Sequence, residues 1–249
     1  GPSWAHHRST VAPRPLVTAY RKRAMARGAV WRKAWAARLK SAAIDRAAWD
    51  ACWAGTGTPG WAEALPRFAA GEKVATRVAV EKAFNAVAPD LPGLMIGAAD
   101  LTGNTGTRLS GATAQSRANP GGQQVYYGIR EHGMGSAMVG MARHGGVIPV
   151  GGTFFVFLDY MRPPVRLAAL SHAKVIFVWT HDSVGVGEDG PTHQPVEHIA
   201  ALRCIPGLQV IRPADANETS AAVRAAVDHA GPTALVLSRQ AIEVTTDGS

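Results

Sequence analysis

Cysteine is scarce in this sequence. Two residues, Cys52 and Cys204, cannot build a disulfide framework, which points to a reducing, cytoplasmic setting. Long apolar runs are missing as well. None approaches the roughly 18 residues a membrane helix needs, so a helical membrane protein is excluded. Acidic side chains are sparse at the start: residues 1–50 hold Asp45 and Asp50 against eleven Lys and Arg. The remainder carries fifteen basic and sixteen acidic residues, so the formal net charge of +8 belongs to an N-terminal arm and not to the body. That distribution argues against a nucleic-acid-binding body. Familiar metal and nucleotide motifs are absent too. No HExxH or EF-hand spacing occurs, and no Gly-Lys-Ser/Thr follows a glycine-rich stretch. The start, Gly1-Pro2-Ser3 without methionine, reads as a cleavage scar or the edge of a processed fragment.

What is present falls into two parts, 1–70 and 71–249. The first holds six of the seven tryptophans. From Pro15 to Trp53 the pattern is helical. Trp31, Trp35 and Leu39 sit four apart, as do Trp49 and Trp53, so each set lines one helix face. Arg32, Lys33, Arg38 and Lys40 spread over the other faces. The plain reading is a helical arm that lays its tryptophans on another surface. A basic membrane-surface or nucleic-acid helix and a transit peptide are sharper alternatives. "TGTPG" at 56–60 punctuates the arm's end.

From Gly71 onward, helix-like and strand-like segments alternate. Helices are expected over 72–88, 131–144, 157–171 (interrupted at Pro163-Pro164) and 216–229, the last capped by Asp215. Strands are expected over 93–97, 124–128, 146–150, 174–180, 207–211 and 233–238. Buried strands alternating with helices predict an α/β fold: a three-layer α/β/α sandwich with a mostly parallel sheet, preceded by the helical arm.

In such sheets ligands bind beyond the carboxyl ends of the strands, and those ends are chemically rich. Glu131 sits at a strand-to-helix junction, as an ordinary first-turn glutamate or as a buried acid or base. The small residues after it (Gly133, Gly135, Ser136, Ala137) permit close packing. Phe154, Phe155, Phe157 and Tyr160 follow Gly151-Gly152-Thr153. The glycines would let backbone approach a ligand, and the rings would stack on it. The stretch "THDSVGVGEDGPTHQP", 180–195, packs two histidines, three carboxylates and three glycines behind the apolar run Val175–Trp179. Its spacing fits no metal motif. A pocket using histidine for hydrogen bonding and proton transfer fits it best.

From about Lys73 to Gln240 the sequence resembles the pyrimidine-binding domain of transketolase. The resemblance rests on "KVATRVAVEKAFNAVAPDLPGLMIGAADLTGNTGT", "GIREHGMGSAMVGMARHGG", "GGTFFVFLDYMRPPVRLAAL", "THDSVGVGEDGPTHQPVEHIAALRCIPGLQVIRPADANE" and "LVLSRQ". It implies thiamine diphosphate and transfer of a two-carbon ketol unit between sugar phosphates, as in the pentose phosphate pathway. Carried over residue by residue, Glu131 would hydrogen-bond the aminopyrimidine N1′, a role for which a carboxyl in a low-dielectric pocket gains proton affinity. Phe154, Phe157 and Tyr160 would pack around the pyrimidine, with Asp100 near the cofactor at a subunit boundary. Asp189 and His193 would bind the substrate's hydroxyl and carbonyl end. His181, Arg77 and Arg239 would bind its phosphate. His181 and His193 would join Glu131 in catalysis. Where the family often has a phosphate-contacting serine, Asn104 stands, which weakens phosphate preference.

No Gly-Asp-Gly…Asn motif for magnesium and diphosphate is found, so no metal ligand is expected on this chain. Magnesium would sit on a diphosphate-binding domain or subunit supplied separately. The resemblance thus implies half an active site, inactive alone, in a homo- or hetero-oligomer. The alternatives are another thiamine enzyme component (a deoxyxylulose-phosphate synthase or a 2-oxoacid dehydrogenase β subunit) or a non-catalytic dimerisation module.

Overall fold

The computed structural model describes residues 13–41 and 44–248. It divides into two compact units at Asp45 and Arg46. The first unit contains helix α1, Arg14–Ser41. Pro15 lies in its first turn, where a missing amide costs no hydrogen bond. Trp31 and Trp35 are exposed on it. Trp4, the remaining tryptophan of the arm that precedes α1, lies outside the described residues.

The second unit opens with α2, Arg46–Ala54. Its Trp49 and Trp53 rings stand 5.8 Å apart, as their spacing predicts. Trp53 lies against His144, and Trp61 is buried in the core. Strand β1 (Lys73–Ala75) and helix α3 (Thr76–Val87) follow. The expected helix over 72–88 therefore starts late. Lys73–Ala75 instead pairs antiparallel with β8 (Ala241–Glu243), from the far end of the chain. Local periodicity carries no sign of a partner so distant.

The core is a six-stranded sheet built from β2 (Leu94–Ala98), β3 (Gln124–Tyr126), β4 (Ile148–Phe154), β5 (Ile176–Thr180), β6 (Gln209–Ile211) and β7 (Thr233–Leu237). Its order is β3-β2-β4-β5-β7-β6, with every pairing parallel. Strand side chains alternate between faces, and β5 shows the result. Ile176 and Val178 join a cluster with Val80, Phe84 and Val87 of α3 and with Val223 and Val227 of α7, Ala216–Asp228. Phe177 and Trp179 join the opposite cluster with Met134 and Met138 of α4, Glu131–His144, and Met161 and Val165 of α5, Leu158–Leu170. Helices thus cover both faces, giving the three-layer α/β/α fold.

Helix α4 has the bounds expected of it. Asp215 caps α7 by accepting from the Glu218 amide at 3.0 Å. Helix α5 runs without a break through Pro163 and Pro164. The carbonyls those prolines leave without amide donors belong to Asp159 and Tyr160, both exposed residues. The short helix α6, His198–Arg203, was not expected.

Candidate active site

Parallel pairing brings four strand ends to one rim. Phe154 aligns with Thr180, Thr180 with Leu237, and Ala98 with Gly152. The chain therefore leaves β2, β4, β5 and β7 side by side. Two residues just past the rim, Asp100 (φ 62°) and His181 (φ 60°), are in the left-handed region. Few non-glycine residues adopt it, and such strain gathers at functional sites.

The aromatic residues form a column. His181 lies on Phe154 with ring centroids 3.7 Å apart. Phe154 stacks on Phe157 at 6.0 Å, and Phe157 meets Tyr160 at 6.0 Å. His193 stands edge-on to Phe157 at 5.4 Å and to Phe154 at 6.1 Å. Phe155 faces the other way, into the core with Trp179. The two glycines before this run do not open toward a ligand. A Cβ on Gly151 would strike Met138, and one on Gly152 would strike Thr105 and Thr107. Side chains of this chain already occupy both spaces.

Glu131 is buried at the start of α4, and Thr153 Oγ1 donates to its Oε1 at 3.4 Å. Thr153 immediately precedes Phe154, so the carboxyl lies one residue from the column. Gly135, one turn on, meets Met161 and Pro164 so closely that a Cβ would fall 2.7 and 2.8 Å from them. The tight packing expected of this helix is therefore α4 against α5 at that residue. Gly133 and Ser136 remain exposed.

A reciprocal lock explains the arginines. The Thr76 amide donates to Ser238 Oγ at 3.1 Å, and the Ser238 amide donates to Thr76 Oγ1 at 2.7 Å. The start of α3 is thus fixed to the end of β7, which sets Arg77 beside Arg239. Arg77 Nε donates to the Arg239 carbonyl, and its guanidinium also donates to the Asn104 carbonyl, both at 3.4 Å. The Asn104 side chain is exposed.

His181 is buried, with Nδ1 3.0 Å from Thr180 Oγ1. Burial pushes its proton affinity down, and the Arg77 charge pushes it further. Asp189 opposes them, while Arg239 and His193 add to the fall, to a pKa of about 4. The ring is therefore neutral at pH 7. Asp189 itself is exposed. In the loop, Gly187 adopts φ 82° and its backbone receives the Arg239 guanidinium, which a Cβ would meet at 2.9 Å. Arg239 also reaches Glu188 at 3.9 Å. Asp100 reaches the rim, and among the described residues its side chain makes no hydrogen bond or ion pair with the other site residues.

Among the described residues, His181, Glu188, Asp189 and His193 do not gather ligand atoms around one point. Asp159, Glu197 and His198 do. There His198 Nε2 is 3.4 Å from Asp159 and Nδ1 is 3.8 Å from Glu197. Neither ring nitrogen of His198 makes a hydrogen bond among the described residues.

Two features escaped sequence reasoning: Thr153, and an ion pair between Asp182 and Arg212, bonded at 2.7 and 2.8 Å. A hydroxyl one residue before the aromatic run, and an arginine just past a strand end, were the available signals.

Residues 72–245 match the family described as "Transketolase, pyrimidine binding domain". The transketolase of Halalkalibacterium halodurans is 53% identical over 182 residues, 73% of this chain and 27% of that protein. A crystal structure of a transketolase complex with sedoheptulose-7-phosphate from Pichia stipitis superposes with a TM-score of 0.86 at 36% identity, over 94% of this chain and 36% of that one. A split gene transketolase, an inactive β4 tetramer, superposes with a TM-score of 0.57 at 27% identity, over 70% of this chain and 54% of that one. The chain spans about a quarter of the curated relative's length. Because the match rests on sequence identity as well as on the fold and takes in the whole rim, the chain belongs to the transketolase family, as a pyrimidine-binding domain.

Proposed function

We propose that this chain supplies the pyrimidine-binding half of a thiamine diphosphate site that transfers a two-carbon ketol unit between sugar phosphates. The observation that carries the reading is Glu131, a buried carboxyl beside an aromatic column at the rim of a parallel sheet. A flat heteroaromatic ring with a basic nitrogen is the ligand such a pairing suits. Phe154, Phe157 and Tyr160 would pack on the ring, Glu131 would share a proton with its N1′, and Asp100 would border the cofactor. Thiamine diphosphate, when bound, supplies a nucleophilic carbon and an electron sink for the two-carbon unit.

The chain's own residues then divide the work. Arg77 and Arg239 bring fixed positive charge and forked donors to a phosphate. His181, neutral at pH 7, adds a hydrogen bond there and not a charge. Asn104 contributes at the same end. His193 and Asp189 would hold the carbonyl and hydroxyl end, with His193 placed edge-on to the column for proton transfer. The convergence of Arg77, Arg239 and His181 favours phosphorylated sugars over 2-oxoacids.

A diphosphate-binding domain or subunit, carrying magnesium, completes the site. Residues 71–249 are then the cofactor-facing domain and 1–70 the arm joining it to that part. The two cysteines are free, consistent with a cytoplasmic enzyme. Among the described residues no helix is long and apolar enough to cross a membrane. The test is an assay with thiamine diphosphate, magnesium, xylulose 5-phosphate and ribose 5-phosphate. The chain alone should show no turnover, and adding the diphosphate-binding part should restore it. Robust turnover by the chain alone would refute the half-site reading.

A further inference from the structure

His181 is held in a conformation that histidine rarely adopts, and something must hold it. On one side Thr180 is fixed within β5, paired with Phe154 and with Leu237. On the other side stands Asp182, whose side chain is 6% exposed. Its Oδ2 accepts from Arg212 Nε at 2.8 Å and from the Arg212 terminal nitrogen at 2.7 Å. Its Oδ1 is buried and has no hydrogen-bond partner among the described residues. Arg212 follows β6, the edge strand, two positions across the sheet from β5. The pair therefore reaches past the end of β7 and ties the first turn of the polar loop to the sheet's far edge. Beyond it, Gly185 and Gly187 lie on Gln240 and Arg239, so the loop descends onto β7 immediately after this anchor.

We propose that Asp182 and Arg212 are positioning residues that hold His181 in its left-handed conformation, with its ring on Phe154, and thereby set affinity for the phosphate end of the substrate. The forked, charge-assisted pair fixes the Asp182 backbone. With Thr180 and Asp182 both fixed, His181 cannot relax to a negative φ. Released from the anchor, the backbone would relax and the ring would leave Phe154, Arg77 and Arg239 for water. The effect on substrate rests on the function proposed above; the effect on the ring does not.

Two measurements keep these apart. The first is an NMR titration of histidine ring nitrogens in this chain. The groups facing the His181 ring are Thr180, Arg77, Asp189, Arg239 and His193. His181 should titrate near 4 in the wild type. In Asp182→Asn and in Arg212→Lys it should move at least about one pH unit toward the ordinary histidine value of about 6.5. The His229 signals and the near-ultraviolet dichroism of the whole chain should stay in place. The second is kinetic, in the enzyme completed with the diphosphate-binding part. KM for ribose 5-phosphate should rise about tenfold with kcat within about twofold, and KM for the unphosphorylated acceptor glycolaldehyde should not change. An unmoved His181 titration in both variants overturns the proposal. So does an equal KM rise for both acceptors, or unfolding in both variants, which would make the pair a global stabiliser. If the completed wild-type enzyme transfers no ketol unit, the proposed function fails, and the titration still decides the positioning role.

Discussion

Replacing Glu131 by glutamine keeps the side chain's volume and its capacity to accept from Thr153, but removes the acid. Activity of the completed enzyme should fall roughly 10²–10⁴-fold, the range of a lost general acid or base. The melting temperature of the chain should barely move. An unchanged rate would favour a non-catalytic dimerisation module. His181 makes a pH prediction. Its folded pKa, about 4, lies below the unfolded value of about 6.5. Unfolding therefore takes up a proton at mildly acid pH. The ring's contribution to stability is fully present above pH 6.5 and is lost as pH falls from 6.5 to 4. It should be on the order of 2 kcal/mol after allowance for partial screening by water. Denaturant midpoints at pH 7 and pH 5 should show that loss. His181→Asn, which tolerates the left-handed backbone, should show a smaller one. Equal losses in both proteins would remove His181 as the cause.

At the level of elements, Asp215 joins α7 to the end of the chain. It caps α7 through Glu218 and accepts from the amides of Thr245 and Thr246, each at 2.9 Å, and from the Thr246 hydroxyl. Burial alone would raise its carboxyl. The hydrogen bonds outweigh burial and lower it to about 2. Its contribution is thus present above about pH 4 and lost as pH falls toward 2. Asp215→Ala should cost about 2–4 kcal/mol in chemical denaturation, combining a lost cap with lost charge-assisted bonds. A cost under about 1 kcal/mol would mean the tail docks without it. The cap was legible because a capping aspartate lies next to the helix it starts. Helix α4 was legible because its bounds coincide with its apolar periodicity. The β1–β8 ribbon was not, since its strands are three residues each and pair across the whole domain. Nor was the unbroken α5, because a proline's effect depends on whether the freed carbonyls face water.

For the molecule as a whole, the sequence alone determined a parallel sheet covered on both faces and a chemically loaded rim. Those follow from side-chain period and from what stands next in the chain after each strand, both of which are local. Through the resemblance it also named the residues of the column, together with Arg77, His181 and Arg239, before any distance was known. Tertiary structure decided what those residues do to one another. Arg77 and Arg239 become neighbours only through the Thr76–Ser238 lock, 162 positions apart in sequence. The Gly151-Gly152 pair serves internal packing and not a ligand, because Met138, Thr105 and Thr107 arrive from other elements. His181 is neutral because burial and the charge of Arg77, which arrives from another element, lower its proton affinity. Charge, desolvation and backbone strain are sums over neighbours in space, and a linear pattern carries no list of those neighbours.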